Sequence, residues 1–526
     1  MNLINDPWIP VIRADGQRCK IAPWQITEVA NPVVDIVAPR PDFQGALYQF
    51  LIGLLQTTFA PEEEDQWLAY WQNPPSSEQL KEVLTPFASA FELINSEGAA
   101  FLQDFTVLDD EPKELAALLI DAPGGKTRKD HLDHFVKGGV ISGACASCTA
   151  SALFALQTNA PSGGVGHRVG LRGGGPLTSL LLPENPQATL WQKLWLNVLT
   201  EDELIQKAQG PDPAIFPWLA PTRLSDKTGG PTLPGDVHDL QMYWGMPRRI
   251  RLESSQEAGA CDLCGETSVE FFSHFRTKNY GVNYEGPWIH SLTPYRFDIK
   301  NEQPPLSLKG QPGGLGYRHW LGLVWADLNN GDKSARIIKG FYHSKVRVLD
   351  SSDTVKLWSF GYDMDNMKAR CWYEQTMPVI ALASEYRELF FRLVADLLNA
   401  ARDVIKELRS QVKAGWFSRP KEVKGDTSMI DQSFWQATEP DFYKQLNVLA
   451  EQPETTRHMP AKVANAWRKL LIKQAIDLFD YWVLEGDAED MDMKRITAAR
   501  RFLIMNLTKL KSLQYLAQLS TAEEVA

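Results

Sequence analysis

Apolar positions along the chain fall into two textures. Up to about residue 375 the apolar runs are short and repeatedly broken by Gly and Pro, which predicts mixed α/β structure with long loops. Helical stretches are predicted around Phe43 to Phe59 and from Lys113 to Ile120. The Pro- and Gly-rich segment Gly210 to Gly235 reads as an exposed connection, and Asn301 to Gly316, with its run GQPGGLG, as a loop. Beyond about Met377 Gly and Pro become scarce and helical periodicity takes over. Phe390, Val394, Leu397, Ala401, Val404 and Leu408 recur at spacings of four and three, one face of a helix. A second helical region covers Asp431 to Glu451, with a break expected near Pro440, which could itself start a helix. Val463, Trp467, Leu470, Leu471 and Leu478 mark a third, and Ile496, Ala499, Leu503, Leu507 and Leu510 a fourth. Four amphipathic segments joined by short connections pack most simply as a four-helix bundle. The expected architecture is therefore α+β: a large mixed α/β domain over 1–375, then a C-terminal four-helix bundle over 376–526. No internal repeat or low-complexity tract is visible.

Composition narrows the class. A chain of 526 residues exceeds what one hydrophobic core serves, and 44% hydrophobic with 23% charged residues is ordinary for a soluble protein. No apolar run approaches the ~20 residues of a membrane span. The N-terminal MNLINDPWIP lacks the basic and long apolar regions of a signal peptide, so a cytoplasmic location is expected. A net charge of −11 argues against a free-standing nucleic-acid binder. It leaves room for a local basic patch on a component of a larger complex, whose partners supply much of the attraction to DNA.

Six cysteines in so long a chain are no disulfide scaffold. Cys19 and Cys371 are isolated, while Cys145-x-x-Cys148 and Cys261-x-x-Cys264 form two pairs. Each Cys-x-x-Cys turn aims two sulfurs at one point, and two turns complete a tetrahedral thiolate site for zinc. The second pair, ending in Cys264-Gly265, has the form of a zinc knuckle. Four thiolates leave no open coordination position, so the expected zinc is structural. A redox dithiol and coincidentally buried thiols are the competing readings.

Signals for catalysis are weak. Pro123-Gly124-Gly125-Lys126-Thr127 lacks the first glycine of a P-loop, since that position is Ile120, and reads as a flexible basic loop. His131 and His134 lie in no recognisable metalloenzyme motif, and Asp363 and Asp365 have no third magnesium ligand in view. These read as polar loop residues.

Binding signals are richer. The stretch PSGGVGHRVGLRGGGP from Pro161 carries seven glycines, including Gly163, Gly164 and Gly166, with Arg168 and Arg172 adding positive charge. A backbone without side chains can enter a narrow groove and present its amides to base edges or phosphates. A plain flexible loop is the alternative. Pro247-Arg248-Arg249-Ile250-Arg251 is a compact basic cluster, suited to phosphates or to a salt-bridged face. Arg276 and Lys278 follow the second cysteine pair, and Lys126, Arg128 and Lys129 make the loop before the first pair basic.

In series, these features resemble the large subunit (CasA family) of the type I-E CRISPR Cascade complex. The resemblance rests on Asn2-Leu3-Ile4 with Asp6-Pro7-Trp8-Ile9-Pro10-Val11, Cys145-x-x-Cys148 followed by TASALF, and Leu171-Arg172-Gly173-Gly174. Trp244-x-Met246-Pro247-Arg248-Arg249, Cys261-x-x-Cys264-Gly265 and Phe360 to Lys368 continue it to a helical end, so it covers essentially the whole chain.

The resemblance implies a subunit without catalytic residues. It would recognise the protospacer-adjacent motif (PAM) of double-stranded DNA from the minor groove, help start unwinding, and offer a docking surface to a separate helicase-nuclease. Guide RNA would read the target by base pairing. Carried over, Gly163, Gly164 and Gly166 would meet the PAM, and Lys278 matches a minor-groove lysine. Asp365, Asn366 and Met367 match a wedge inserted beside it; some relatives have glutamine there, and Asn366 is the nearest equivalent. Phe135, Val136 and Lys137 would contact the 5′ end of the guide RNA and neighbouring subunits. The bundle would meet the small-subunit dimer and line the displaced strand's path, with the backbone subunits completing the complex. Two other readings compete: a scaffold subunit that does not read the PAM, and a zinc-dependent hydrolase using His131, His134 and a carboxylate.

Overall fold

The computed structural model describes residues 1–526 except 97, 124–128, 131–137, 256–257, 351–352, 366, 423, 452–457, 486–490 and 523–526. The chain forms two compact units. The first comprises Met1–Gly310 and Asn330–Thr376, the second Gln311–Asn329 and Met377–Ala526.

The first unit is organised around the helix Pro41–Thr58, which starts with proline at its first turn and is buried almost all round. A helix apolar on every side belongs inside a large core. Phe50 meets Trp8, Phe91, Phe101, Phe154 and Trp244 edge-on, at centroid distances of 5.3–6.0 Å. The buried indoles keep acceptors for their N–H groups: Trp244 donates to Thr57 Oγ1 (2.9 Å) and Trp218 to the Ala90 carbonyl (2.6 Å). Trp218 overturns the reading of 210–235 as an exposed connection. Phe216 and Trp218 are fully buried, because a single 3-10 turn, Pro217–Leu219, delivers both rings to the aromatic core.

Three of the small sheets position the candidate site. Ile9–Arg13 lies between Arg18–Ile21 and Val33–Ile36. Phe271–Lys278 pairs antiparallel with Arg249–Ser255 and, by two-residue strands, with Lys113–Glu114 and Ala144–Cys145. Val355–Asp365 lies between Lys368–Pro378 and Thr178–Pro183. Lys113 to Ile120 is thus not the predicted helix. Lys113 and Glu114 are taken up by the strand edge, and one 3-10 turn, Leu115–Leu118, suffices to bury Leu115 and Leu118.

The second unit carries the four expected helical regions as Ser384–Trp416, Ser428–Ala450, Ala461–Leu484 and Met493–Leu507, and adds a fifth helix, Lys511–Ala522. Phe390, Val394, Leu397, Ala401, Val404 and Leu408 are all buried. The expected break at Pro440 does not occur: Ser428–Ala450 runs through it. Proline forfeits one helix hydrogen bond there, and packing on both sides offsets the loss. Tyr317 lies against Trp435 and Phe442, and its hydroxyl is 2.8 Å from Thr438 Oγ1.

Candidate functional site

The two Cys-x-x-Cys pairs, more than a hundred residues apart, converge. The ligand atoms of Cys145, Cys148, Cys261 and Cys264 all lie within 4.8 Å of one another, and Cys145 Sγ is 3.7 Å from Cys264 Sγ. Tetrahedral zinc with bonds of about 2.3 Å separates its sulfurs by about 3.8 Å, so the donor set and spacing fit the metal. Local structure explains the convergence. Cys145 ends the strand Ala144–Cys145, registers opposite Phe271, and caps the helix Ala146–Asn159, so Cys148 sits in its first turn. A helix N-terminus favours thiolate. On the other side Gly265 adopts a φ of +79°, which closes a tight turn: its N–H donates to Cys261 O, and Cys261 N–H donates to Glu266 O, both at 2.8 Å.

Asp262 joins the two turns. Its carboxylate accepts from Gly143 N–H (2.9 Å), Ser142 N–H (2.7 Å) and Ser142 Oγ (2.8 Å), bonds that hold it below the usual carboxylate range. Lys20, ion-paired with Glu266, adds a cation beside the sulfurs. Four thiols this close resist ionising together. A bond from Cys148 favours the Cys145 thiolate, but the Cys261 contact and burial push Cys145 up to about 12, and the bonds with the Cys145 and Cys261 sulfurs, together with burial, raise Cys148 further. Hydrogen bonds from Cys145 and Cys148 hold Cys261 down. A divalent cation would permit all four to be thiolates. Its ligands would be these cysteines, and its contribution there would be to crosslink segments.

The glycine stretch folds back on itself where it is most flexible. Gly163 N–H donates to His167 O at 3.2 Å, and between them Gly164 (φ +59°) and Gly166 (φ +77°) occupy the left-handed region. Gly166 O accepts from Tyr280 N–H at 2.8 Å. A Cβ on Gly166 would meet Asn279 Cβ at 2.8 Å and Tyr280 N at 3.0 Å, so this position has no room for a side chain. Val165 at the tip is 73% exposed. Burial, helped by Arg248 and Lys113, lowers the His167 pKa to about 4, so its ring is neutral at neutral pH.

The other candidate residues fall into three groups. Met367 joins the loop: Gly164 N–H lies 3.3 Å from its Sδ, although the two are two hundred positions apart, and the Met367 side chain is exposed. Asp365 ends the strand before it, while Asn366 lies outside the described residues. Lys278 ends the strand Phe271–Lys278, two residues before the Tyr280 that holds Gly166. It is not a bare cation. Asp109 and Asp110 bracket it at 3.2 and 3.7 Å, and that pairing holds Asp109 below the usual carboxylate range. Sequence reasoning missed this acidic pair, whose one trace in the sequence is the dipeptide Asp109-Asp110 itself.

Several of the expected basic contacts are internal. Arg172, read as a nucleic-acid contact, is buried and donates to Thr178, Thr293 and Gln49, so it cannot reach a ligand at the surface. Arg168 spends Nε and Nη2 on Ser225, both bonds at 2.7 Å, and holds the loop to a neighbouring segment. In the cluster after Pro247, Arg248 donates to Pro161 O, Arg249 pairs with the buried Asp104, and Arg251 donates to the carbonyls of Gly98, Asp104 and Asn95. Arg276 pairs with Glu253. Within this cluster Arg249 is salt-bridged, Arg251 is held by backbone carbonyls, and Arg248 braces the glycine stretch through Pro161 O. Phe135, Val136, Lys137, His131 and His134 lie outside the described residues.

The comparisons with known proteins agree along the length of the chain. The family model for CRISPR-associated protein Cse1 matches residues 2–478. Among solved structures, Thermus thermophilus CasA (Cse1) superposes with a TM-score of 0.71 at 18% identity, covering 97% of this chain and 99% of that one. Thermobifida fusca Cse1 gives 0.69 at 17% identity with 98% of both chains covered. A chain of a CRISPR RNA-guided surveillance complex gives 0.69 at 15% identity, covering 97% and 99%.

Proposed function

The chain belongs to the CRISPR-associated Cse1 (CasA) family, and we propose that it serves as the large, non-catalytic subunit of a type I-E Cascade complex that reads the PAM. One observation carries this reading: the left-handed glycine turn, the exposed Met367 and the end of the strand bearing Lys278 lie side by side, although they come from three distant parts of the sequence.

Each part has a physical role at a duplex. The turn Gly163–Gly166 would present the nearly bare backbone of its three glycines, with Val165 at the tip, to the minor groove, where Lys278 would supply the positive charge. Met367 is the apolar side chain that would part a base step. Unstacking costs a few kcal/mol per step, offset as guide RNA pairs with the target strand in an exchange that is otherwise nearly balanced. A minor-groove reader distinguishes mainly A·T from G·C, so several related PAM sequences would be accepted. The zinc site would set the position of this surface, since Cys145 lies on the same sheet as Lys278. The chain would act in the cytoplasm with the backbone subunits, the small-subunit dimer, guide RNA and a recruited helicase-nuclease. No helix among the described residues is long and apolar enough to cross a membrane.

Two charge substitutions test the reading in opposite directions. Lys278→Ala is expected to weaken target binding by the assembled complex about tenfold and to lower the slope of log affinity against log salt. Asp109→Asn with Asp110→Asn removes the carboxylates that compete with DNA for Lys278. Because exposed pairs are worth about 1 kcal/mol or less, binding should tighten roughly three- to fivefold, in an electrophoretic shift assay at fixed salt. If Lys278→Ala bound every duplex as the parent does, this lysine would not be a DNA contact.

The scaffold reading draws on one fact: most of the arginines near the loop are spent on internal partners. It requires PAM discrimination to survive changes to both Lys278 and the glycine turn. The hydrolase reading rests on His131, His134 and a carboxylate, and zinc found at the four cysteines alone, with no effect of His131→Ala, would dismiss it.

A further inference from the structure

Arg172 presents a problem that the DNA-reading surface does not explain. A guanidinium has five N–H groups and does not give up its charge in proteins. Here Nη1 donates to Thr178 Oγ1 (3.1 Å) and Thr293 Oγ1 (2.8 Å), and Nη2 to Gln49 Oε1 (2.6 Å). All three acceptors are neutral, and among the described residues no carboxylate pairs with it. Burial lowers its pKa only to about 10, so it is a cation at neutral pH. A buried charge without a counter-charge is strongly disfavoured.

Beside it lies a cavity of about 20 Å³, lined by Arg172, Gln49, His290, Tyr243, Gln157 and Leu171. That is room for a single water-sized occupant. The unclaimed nitrogens of its lining side chains are donors. His290 is buried and its Nδ1 accepts the Leu292 N–H at 3.1 Å, so the ring proton sits on Nε2, which has no partner among the described residues. Arg172 retains its Nε–H and one Nη2–H. Three side-chain oxygens of the lining are engaged: Gln157 Oε1 receives Arg248 N–H, Gln49 Oε1 receives Arg172, and the Tyr243 hydroxyl is bonded to Ser291; Thr158 also lines the cavity, and its hydroxyl can donate to an anion.

We propose that this cavity is an anion site that holds one small monovalent ion, of which chloride is the common physiological example. The ion would neutralise Arg172, accept from its free N–H groups and from His290, and so complete the buried network. The benefit reaches the glycine stretch, because Arg172 O accepts from Ser307 Oγ and Gly173 N–H donates to Gly170 O at 2.8 Å, which seats the end of that stretch. This inference is independent of whether the chain reads DNA.

The test uses the full chain. Crystals soaked in sodium bromide should show one anomalous peak within hydrogen-bond reach of the Arg172 guanidinium. In solution the melting temperature should be higher in sodium chloride than in sodium gluconate of equal ionic strength, by about 1–3 °C. Gln49→Glu places a carboxylate where the neutral amide stood, so this variant should lose the chloride dependence and melt in gluconate at least as high as the parent does in chloride. A water in the cavity with no bromide signal, equal melting of the parent in both salts, or an undiminished chloride effect in Gln49→Glu would each overturn the proposal. Should Gln49→Glu fail to fold, the bromide signal decides alone.

Discussion

Gly166→Asp is expected to raise the apparent Kd of the assembled complex for its target at least about a hundredfold, equivalent to about 2.8 kcal/mol. Three costs combine at this residue. Its φ of +77° is one that side-chain-bearing residues adopt only with strain, about 1–2 kcal/mol. A Cβ would overlap Asn279 Cβ at 2.8 Å and Tyr280 N at 3.0 Å, forcing the turn away from the segment next to Lys278. The new carboxylate would then face DNA phosphates. Gly164→Ala separates these costs. Its φ of +59° is also strained, but nothing lies within 4 Å of the added Cβ, so only a few-fold loss is expected. Equal binding by Gly166→Asp and the parent, in the same shift assay, would remove the turn from the DNA-reading surface.

Loss of the thiolate cluster should have the largest effect on stability. The purified chain is expected to carry one zinc, and Cys148→Ser or Cys261→Ser to lose it. Structural zinc contributes about 10–16 kcal/mol of apparent binding energy in small fingers. In a domain with its own aromatic core the loss should be smaller, on the order of 3–5 kcal/mol, and visible as a drop in melting temperature of about 5–10 °C. Because Cys145 registers with Phe271 on the strand that ends in Lys278, target binding should weaken as well. A chain free of metal, or a Cys261→Ser variant that melts like the parent, would contradict the structural-zinc assignment.

What was legible in the sequence was periodicity and paired chemistry. The stripe from Phe390 to Leu408 needs only local spacing to reveal a buried face, and two Cys-x-x-Cys turns carry their geometry within four residues each. The glycine stretch showed where the backbone is freest, though not that Gly166 alone is packed against Tyr280. What escaped were properties set by distant partners. Arg172 reads as a surface cation until Gln49, Thr178 and Thr293, from three separate segments, close around it. Phe216 and Trp218 sit among prolines and glycines that suggest a loop, yet their burial outweighs that local signal. Pro440 reads locally as a helix break, yet Tyr317, more than a hundred residues away, packs across the site. The Asp109–Asp110 brace on Lys278 depends on a fold that sets a loop beside the end of a strand.

The central claim is that this chain reads the bases flanking the target. The most direct measurement is an electrophoretic shift of the reconstituted RNA-guided complex, with and without this chain, on duplexes that differ only in those few base pairs. The account predicts that discrimination between flanking sequences appears only when the chain is present and is lost with Gly166→Asp and Lys278→Ala. Unchanged discrimination without the chain would make it a scaffold and would contradict the account.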